Sequence, residues 1–111
     1  MSQIHIPSNN RQIVKLPCIS NNWIELEVQS NQNFSLFIIK ESDFQNNQDI
    51  DVETQNYLEY EGNQFERVLA DGIQFYLILI NENETAIDLA VSIRTIPVKY
   101  TNNVGPLSAF H

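Results

Sequence analysis

Two stretches of the chain are apolar on both faces. Phe34-Ser35-Leu36-Phe37-Ile38-Ile39 and Phe75-Tyr76-Leu77-Ile78-Leu79-Ile80 carry more hydrophobic surface than a strand with one wet side requires. Such runs belong in the middle of an antiparallel stack of strands, or beneath a cover on their second face. Elsewhere the pattern alternates with a period of two. In residues 23–28, Ile24, Leu26 and Val28 face one way and Glu25 and Glu27 the other. In residues 86–96, Ile87, Leu89, Val91 and Ile93 point inward, while Asp88, Ser92 and Arg94 point outward. This alternation predicts strands that meet a core on one side and water on the other.

Further strands are predicted near residues 2–7, as an edge strand or loose arm, and over 11–16, ended by Pro17. Two more are expected at 57–61 and 64–70. The polar residues 30–33 predict a hairpin turn between 23–28 and 34–40, and Asp71-Gly72 predicts a two-residue hairpin between 64–70 and 73–80. Residues 41–57 read as loop, with a helical turn near 41–45. No long helical period and no internal repeat occurs. The expected architecture is all-β, an antiparallel β-sandwich of jelly-roll type with about seven to eight strands.

Asparagine does much of the punctuation. With 3 glycines and 4 prolines in 111 residues, the apolar runs are separated by clusters such as Ser8-Asn9-Asn10, Ser20-Asn21-Asn22 and Asn81-Glu82-Asn83. Asparagine closes turns through its side chain and tolerates the left-handed conformation, so these clusters mark loops by mechanism. The length gives one domain with a core of its own. Residues 1–97 are expected to form the sandwich, and 98–111 a tail docked on the domain or on a partner.

The net charge is −8, and eight acids lie between Glu41 and Glu66 with no base among them. Such a surface repels phosphate backbones and anionic bilayers, which argues against nucleic-acid partners and membrane insertion. It draws cations or a basic protein, or simply keeps the chain soluble. The single cysteine, Cys18, excludes an intrachain disulfide and a cysteine-based zinc site. No run approaches the length of a transmembrane helix. The chain as it stands is expected to be cytoplasmic, with secretion the alternative if it is the mature or excised form of a larger secreted protein. Asn33-Phe34-Ser35 and Asn83-Glu84-Thr85 match a glycosylation acceptor, and in a chain with no secretory signal they read as turn sequences.

The landmarks fall in a familiar order. Val14-Lys15-Leu16-Pro17 is followed by the alternating residues 23–28, an aromatic-led strand running into a polar stretch (34–46), and a long acidic loop. Then come Gly72, the strand Phe75-Tyr76-Leu77-Ile78-Leu79-Ile80-Asn81 and the strand Ala86-Ile87-Asp88-Leu89-Ala90-Val91-Ser92-Ile93. Over residues 12–96 this resembles the GOLD-like and bacterial pre-peptidase C-terminal-like jelly-roll domains. The resemblance implies a non-catalytic binding or accessory module; it names no ligand and transfers no catalytic residue.

Candidate chemistry is sparse. His5, His111 and Cys18 do not assemble a nucleophile with its base by any spacing in the chain, and no phosphate loop, dinucleotide fingerprint or serine elbow is present. The pairs Glu25/Glu27 and Glu59/Glu61 stand on solvated strand faces, where both members stay ionised, unlike a glycosidase pair. An enzyme is therefore not expected. Asp49, Asp51 and Glu53 alternate, so in an extended segment they point the same way and start a calcium site; a solvated face is the competing reading. Otherwise no cofactor is called for. If Leu36, Ile38, Leu77 and Leu79 build the interior, then Phe37, Ile39, Tyr76, Ile78 and Ile80 look outward. Together with Tyr100, Leu107 and Phe110 of the tail they form the expected interaction surface for a protein partner or a second copy. A carbohydrate- or calcium-binding accessory domain using the 41–61 loop, with Trp23 or Tyr57 at its rim, is the alternative.

Overall fold

The computed structural model describes residues 2–42, 58–70 and 72–98. They form six strands: β1 (Ser2–Ile6), β2 (Asn10–Lys15), β3 (Asn22–Lys40), β4 (Leu58–Leu69), β5 (Phe75–Asn81) and β6 (Ile87–Pro97). All pairings are antiparallel, in the order β1-β6-β3-β5-β2, with β4 paired to β3 off that path. The sheet curls into a half-barrel, a sandwich-like all-β fold as the alternation predicts.

The curl comes from β3. Its first half pairs with β6 and its second half with β5, while β4 flanks both halves. Between them the register with β4 jumps from Gln29↔Gln64 to Phe34↔Gly62, so residues 30–33 stand opposite Asn63 alone. This wide bulge bends the strand without reversing it. The hairpin expected between residues 23–28 and 34–40 is therefore absent. β3 runs unbroken from Asn22 to Lys40; the positive φ that two-residue hairpin turns use is adopted, among the described non-glycine residues, only by Asn9 (φ 55°) and Asn21 (φ 59°). Those two lie in asparagine clusters that do turn the chain.

The Asp-Gly hairpin is also corrected. Gly72 has φ 77°, as a turn glycine should, but β4 and β5 do not pair with each other. Both pair with β3, β4 through Ile24↔Leu69 and β5 through Lys40↔Phe75. The connection thus carries the chain from one half of the curled sheet to the other. Residues 57–61 and 64–70, expected as two strands, run as the single β4 through Gly62. A Cβ on Gly62 would come within 2.8 Å of the Tyr60 ring carbon Cζ. That close approach lets Tyr60 fold over the strand, with its ring 6.0 Å from Phe34 and 5.2 Å from Phe65. Its hydroxyl accepts the Gln64 N–H at 3.1 Å and donates to the Gln64 carbonyl.

The main core lies inside the curl. Ile24, Leu26, Val28, Leu36, Ile38, Leu77, Leu79, Ile87 and Leu89 are buried there, as their parity predicts. At about 2 kcal/mol for each fully buried aliphatic side chain, this interior dominates the stability.

The second face of β3 and β5 departs from expectation. Phe37 and Ile78 are cross-strand partners, as are Ile39 and Tyr76. Phe37 is 6% exposed and Ile39 and Ile78 0%, and they form a separate cluster with Ile80 against it. Tyr76 and Ile80 are half-buried. Of the expected outward patch, Phe37, Ile39 and Ile78 are thus closed within the chain, while Tyr76 and Ile80 are partly covered; central strands apolar on both faces lose about 2 kcal/mol per large side chain left in water.

Candidate functional site

A strand that pairs on one side only presents a row of unmet N–H and C=O groups, so the edges of this sheet are the places to look for recognition. Among the described residues four edges are open: β1, β2, β4 and the far part of β6. Three carry their own protection. β4 bears Glu59, Glu61 and Glu66; β2 bears Arg11 and Lys15; β1 bears His5 and Gln3. Charged and polar edge residues discourage strand addition.

The edge of β6 is different. β1 pairs with β6 only from Ile87 to Val91, whereas β3 pairs with it out to Pro97. Residues 92–97 of β6 therefore lack a neighbour on the side away from β3, among the described residues. Val98 donates its N–H to the Asn21 carbonyl at 2.8 Å, and the β3–β6 register is unbroken. N–H groups alternate sides along a strand. The even-numbered residues of β6 thus address β3, and the N–H groups of Ile93 and Thr95 address the open side. Ile93, Thr95 and Ile96 are residue types that fit a pleated ladder. The edge's one base, Arg94, is held on the outer face by its cross-strand partner Glu25, with Nε donating to Oε1 at 2.7 Å and Nη2 donating to the same oxygen.

Beside this edge lies a recess of about 450 Å³ lined by Ser2, Ile4, Val14, Val91, Ser92, Ile93 and Arg94. Its floor is apolar: Ile4 of β1, Val14 of β2, and Val91 and Ile93 of β6 all pack on the main core. The sheet order places β1 and β2 at its two ends. No backbone ladder joins them, and the recess sits where the half-barrel fails to close. An extended segment added beside residues 93–97 would project alternate side chains into this recess while its backbone met the β6 groups.

One polar side chain fixes the geometry of this seam. Asn81 is fully buried. Its Nδ2 donates to the carbonyls of Ile6 (3.0 Å), Pro7 (3.1 Å) and Thr85 (2.9 Å). Its Oδ1 accepts from the Asn83 N–H and from Asn83 Nδ2, both at 2.8 Å. The end of β1, the β1–β2 turn and the β5–β6 loop are thereby tied to one residue. Ser8 Oγ donates to the Asn83 carbonyl at 2.7 Å and Asn83 Nδ2 also reaches the Asn33 carbonyl at 2.7 Å. The acceptor-like tripeptide at Asn83 thus serves as a turn, with its amide occupied by the fold.

The residues singled out by the sequence fall as follows. His5 Nδ1 lies 2.9 Å from Asp88 Oδ1 on an exposed face, and Cys18 is free and exposed. No hydrogen bond joins them among the described residues. Trp23 is half-buried on β3 opposite Ile96. Asp49, Asp51, Glu53, Tyr57, Tyr100, Leu107 and Phe110 lie outside the described residues, as does His111. Among the described residues no three metal-ligating side chains cluster, and no helix is long and apolar enough to cross a membrane. Sequence reasoning did not find Ile4, Val14, Thr95 or Asn81. The first two lie on short edge strands with weak alternation, and the value of Thr95 depends on how far β1 reaches. Compared with protein-family models and with curated proteins, the chain matches none.

Proposed function

We propose that this domain is a non-catalytic interaction module that recognises a protein partner, or a second copy of itself, by accepting an extended strand at the open edge of β6. The observation that carries the reading is the coincidence of unpaired Ile93 and Thr95 backbone groups with the apolar recess between Ile4, Val14, Val91 and Ile93. Main-chain hydrogen bonds supply affinity in such recognition and the recess selects alternate side chains. The charge of −8 favours a partner strand carrying Lys or Arg. The accessory role implied by the GOLD-like and pre-peptidase C-terminal-like resemblance is in keeping with this reading. An intracellular setting, where Cys18 stays a thiol, belongs to the same proposal.

The test is selection from a displayed library of ten-residue peptides on the intact chain, with Thr95→Pro as the comparison. Proline at an edge position whose N–H faces outward removes a donor to the incoming strand and leaves the β6–β3 ladder in place. Enriched peptides with apolar residues at alternate positions, binding at least about tenfold more weakly to Thr95→Pro, support the reading; tenfold corresponds to ~1.4 kcal/mol. No enrichment, or equal binding to Thr95→Pro, removes it.

A further inference from the structure

We propose that the strand accepted at the open edge of β6 is the same edge of a second copy, so that two chains form a two-fold dimer in which Thr95 faces the partner's Thr95. This rests on the strand-acceptor reading of that edge and names its partner.

The first observation is which backbone groups the edge offers. Ile93 and Thr95 turn N–H and C=O outward, while Pro97, next on the same side, offers a carbonyl and no N–H. A two-fold pairing of antiparallel strands sets one residue opposite itself. Centred on Arg94, it puts the partner's Pro97 opposite Val91, where Ser2 already sits. Centred on Ile96, it leaves Ile93 without an acceptor among the described residues. Centred on Thr95, it satisfies both donors of each chain. Thr95 N–H donates to the carbonyl of the partner's Thr95, and Ile93 N–H donates to the carbonyl of the partner's Pro97. The partner's Val98 then lies opposite Ser92, one residue short of Ser2.

The second observation is what this register does with the side chains. Ile93, Thr95 and Pro97 share the inner face, and Arg94 and Ile96 the outer one. Ile93, at the rim of the recess, meets the partner's Pro97, and the threonines meet each other, a favourable cross-strand pair. On the outer face Arg94 stands opposite the partner's Ile96. Its aliphatic stem covers that half-buried side chain while its head stays on Glu25 of its own chain.

The third observation is charge. The β4 edge would set Glu59, Glu61 and Glu66 against themselves, and the β2 edge Arg11 and Lys15. Residues 92–98 contain Arg94 and no acid, and Glu25 neutralises Arg94 within the same chain. The segment is thus itself a strand with a base and alternating apolar positions, the kind a chain of charge −8 favours. The net charge of the two chains opposes association at long range, so salt strengthens this dimer.

The experiment follows the intact chain by sedimentation equilibrium and NMR from about 10 μM to about 1 mM, with a reductant that holds Cys18 as a thiol. The expected result is a monomer–dimer equilibrium that tightens several-fold from low to high salt. In a mixture of labelled and unlabelled chains, Arg94 Hα contacts Hα of the partner's Ile96, the close non-hydrogen-bonded pair of this register. Thr95→Pro weakens association by about tenfold or more. Should that variant fail to fold, Arg94→Glu, on the exposed outer face, puts acids together across the two-fold and is expected to weaken the dimer at least as much at low salt. A chain that stays monomeric throughout overturns the inference. So does a dimer that neither variant weakens, or one in which Arg94 meets the partner's Arg94. A monomeric chain that still binds selected peptides through Thr95 removes the second copy and leaves the strand-acceptor reading; a monomeric chain that selects no peptide removes both.

Discussion

Replacing Asn81 by leucine, a side chain of similar length with no polar atom, unties the seam described above. Five hydrogen bonds disappear together. The Ile6 carbonyl is the costliest loss, because Ile6 is itself buried at 1% exposure and water does not replace the donor readily. It keeps its place opposite Ile87 in the β1–β6 ladder, so losing its second donor costs about 1 kcal/mol. Pro7 and Thr85 are exposed, so their carbonyls rehydrate and contribute roughly 0.5 kcal/mol each, with a similar amount for the Asn83 N–H. The sum is about 2–3 kcal/mol, a large share of the roughly 5–15 kcal/mol of a domain this size. It corresponds to a fall in Tm of roughly 8–15 °C. Urea unfolding followed by circular dichroism measures it directly, with an unchanged m-value as the sign that only stability moved.

Asn81→Asp sharpens the argument. It keeps an acceptor for Asn83 but turns the donor into a carboxylate facing three carbonyl oxygens. Burial beside those carbonyls raises the folded-state pKa of the introduced acid above its unfolded value. Its destabilisation is then full at neutral pH and relieved as the pH falls, because the protonated acid donates one bond again. A loss under about 1 kcal/mol for the leucine variant, or an aspartate variant whose deficit relative to wild type is flat between pH 4 and 7 (roughly the span in which such a group titrates), would falsify the role given to Asn81.

Further outcomes follow from the packing. Ile78→Ala removes a fully buried side chain of the second-face cluster and is expected to cost about 2–4 kcal/mol in urea unfolding, whereas an open docking face would lose under ~0.5 kcal/mol. Gly62→Ala drives Tyr60 off the strand and is expected to cost about 1–3 kcal/mol; in a Tyr60→Leu background the penalty shrinks, and additivity in that double-mutant cycle would show the two do not touch. His5→Ala removes the contact between His5 and Asp88, whose side chains are 65% and 64% exposed, so stability should stay within ~0.5 kcal/mol of wild type at any salt concentration.

The inward and outward faces of β3 and β6 were legible because Ile24, Leu26, Val28 and Ile87, Leu89, Val91 alternate cleanly with charged or polar residues, and a period of two admits one assignment. The path between strands was not. Residues 30–33 and Asp71-Gly72 have turn composition, yet composition does not say whether a polar segment reverses the chain, bulges it, or carries it across the sandwich. That is decided by which strand β3 prefers as a neighbour, a long-range choice absent from any short window. The apolar second face of β3 and β5 was visible as an excess of hydrophobic surface; whether the chain itself closes it depends on tertiary contacts. The candidate edge was the least legible part. Ile93 reads as an inward residue, but an edge becomes open only because β1 stops at Val91 while β3 continues to Pro97.

The measurement that bears most directly on strand acceptance is NMR mapping of a selected peptide on the isotope-labelled chain. The account predicts cross-strand contacts between peptide and residues 93–97, slowed exchange at the Ile93 and Thr95 amides, and shifted methyl signals for Ile4 and Val14. Contacts confined to the acidic edge of β4, or to the outer face around Glu25 and Trp23, would contradict it.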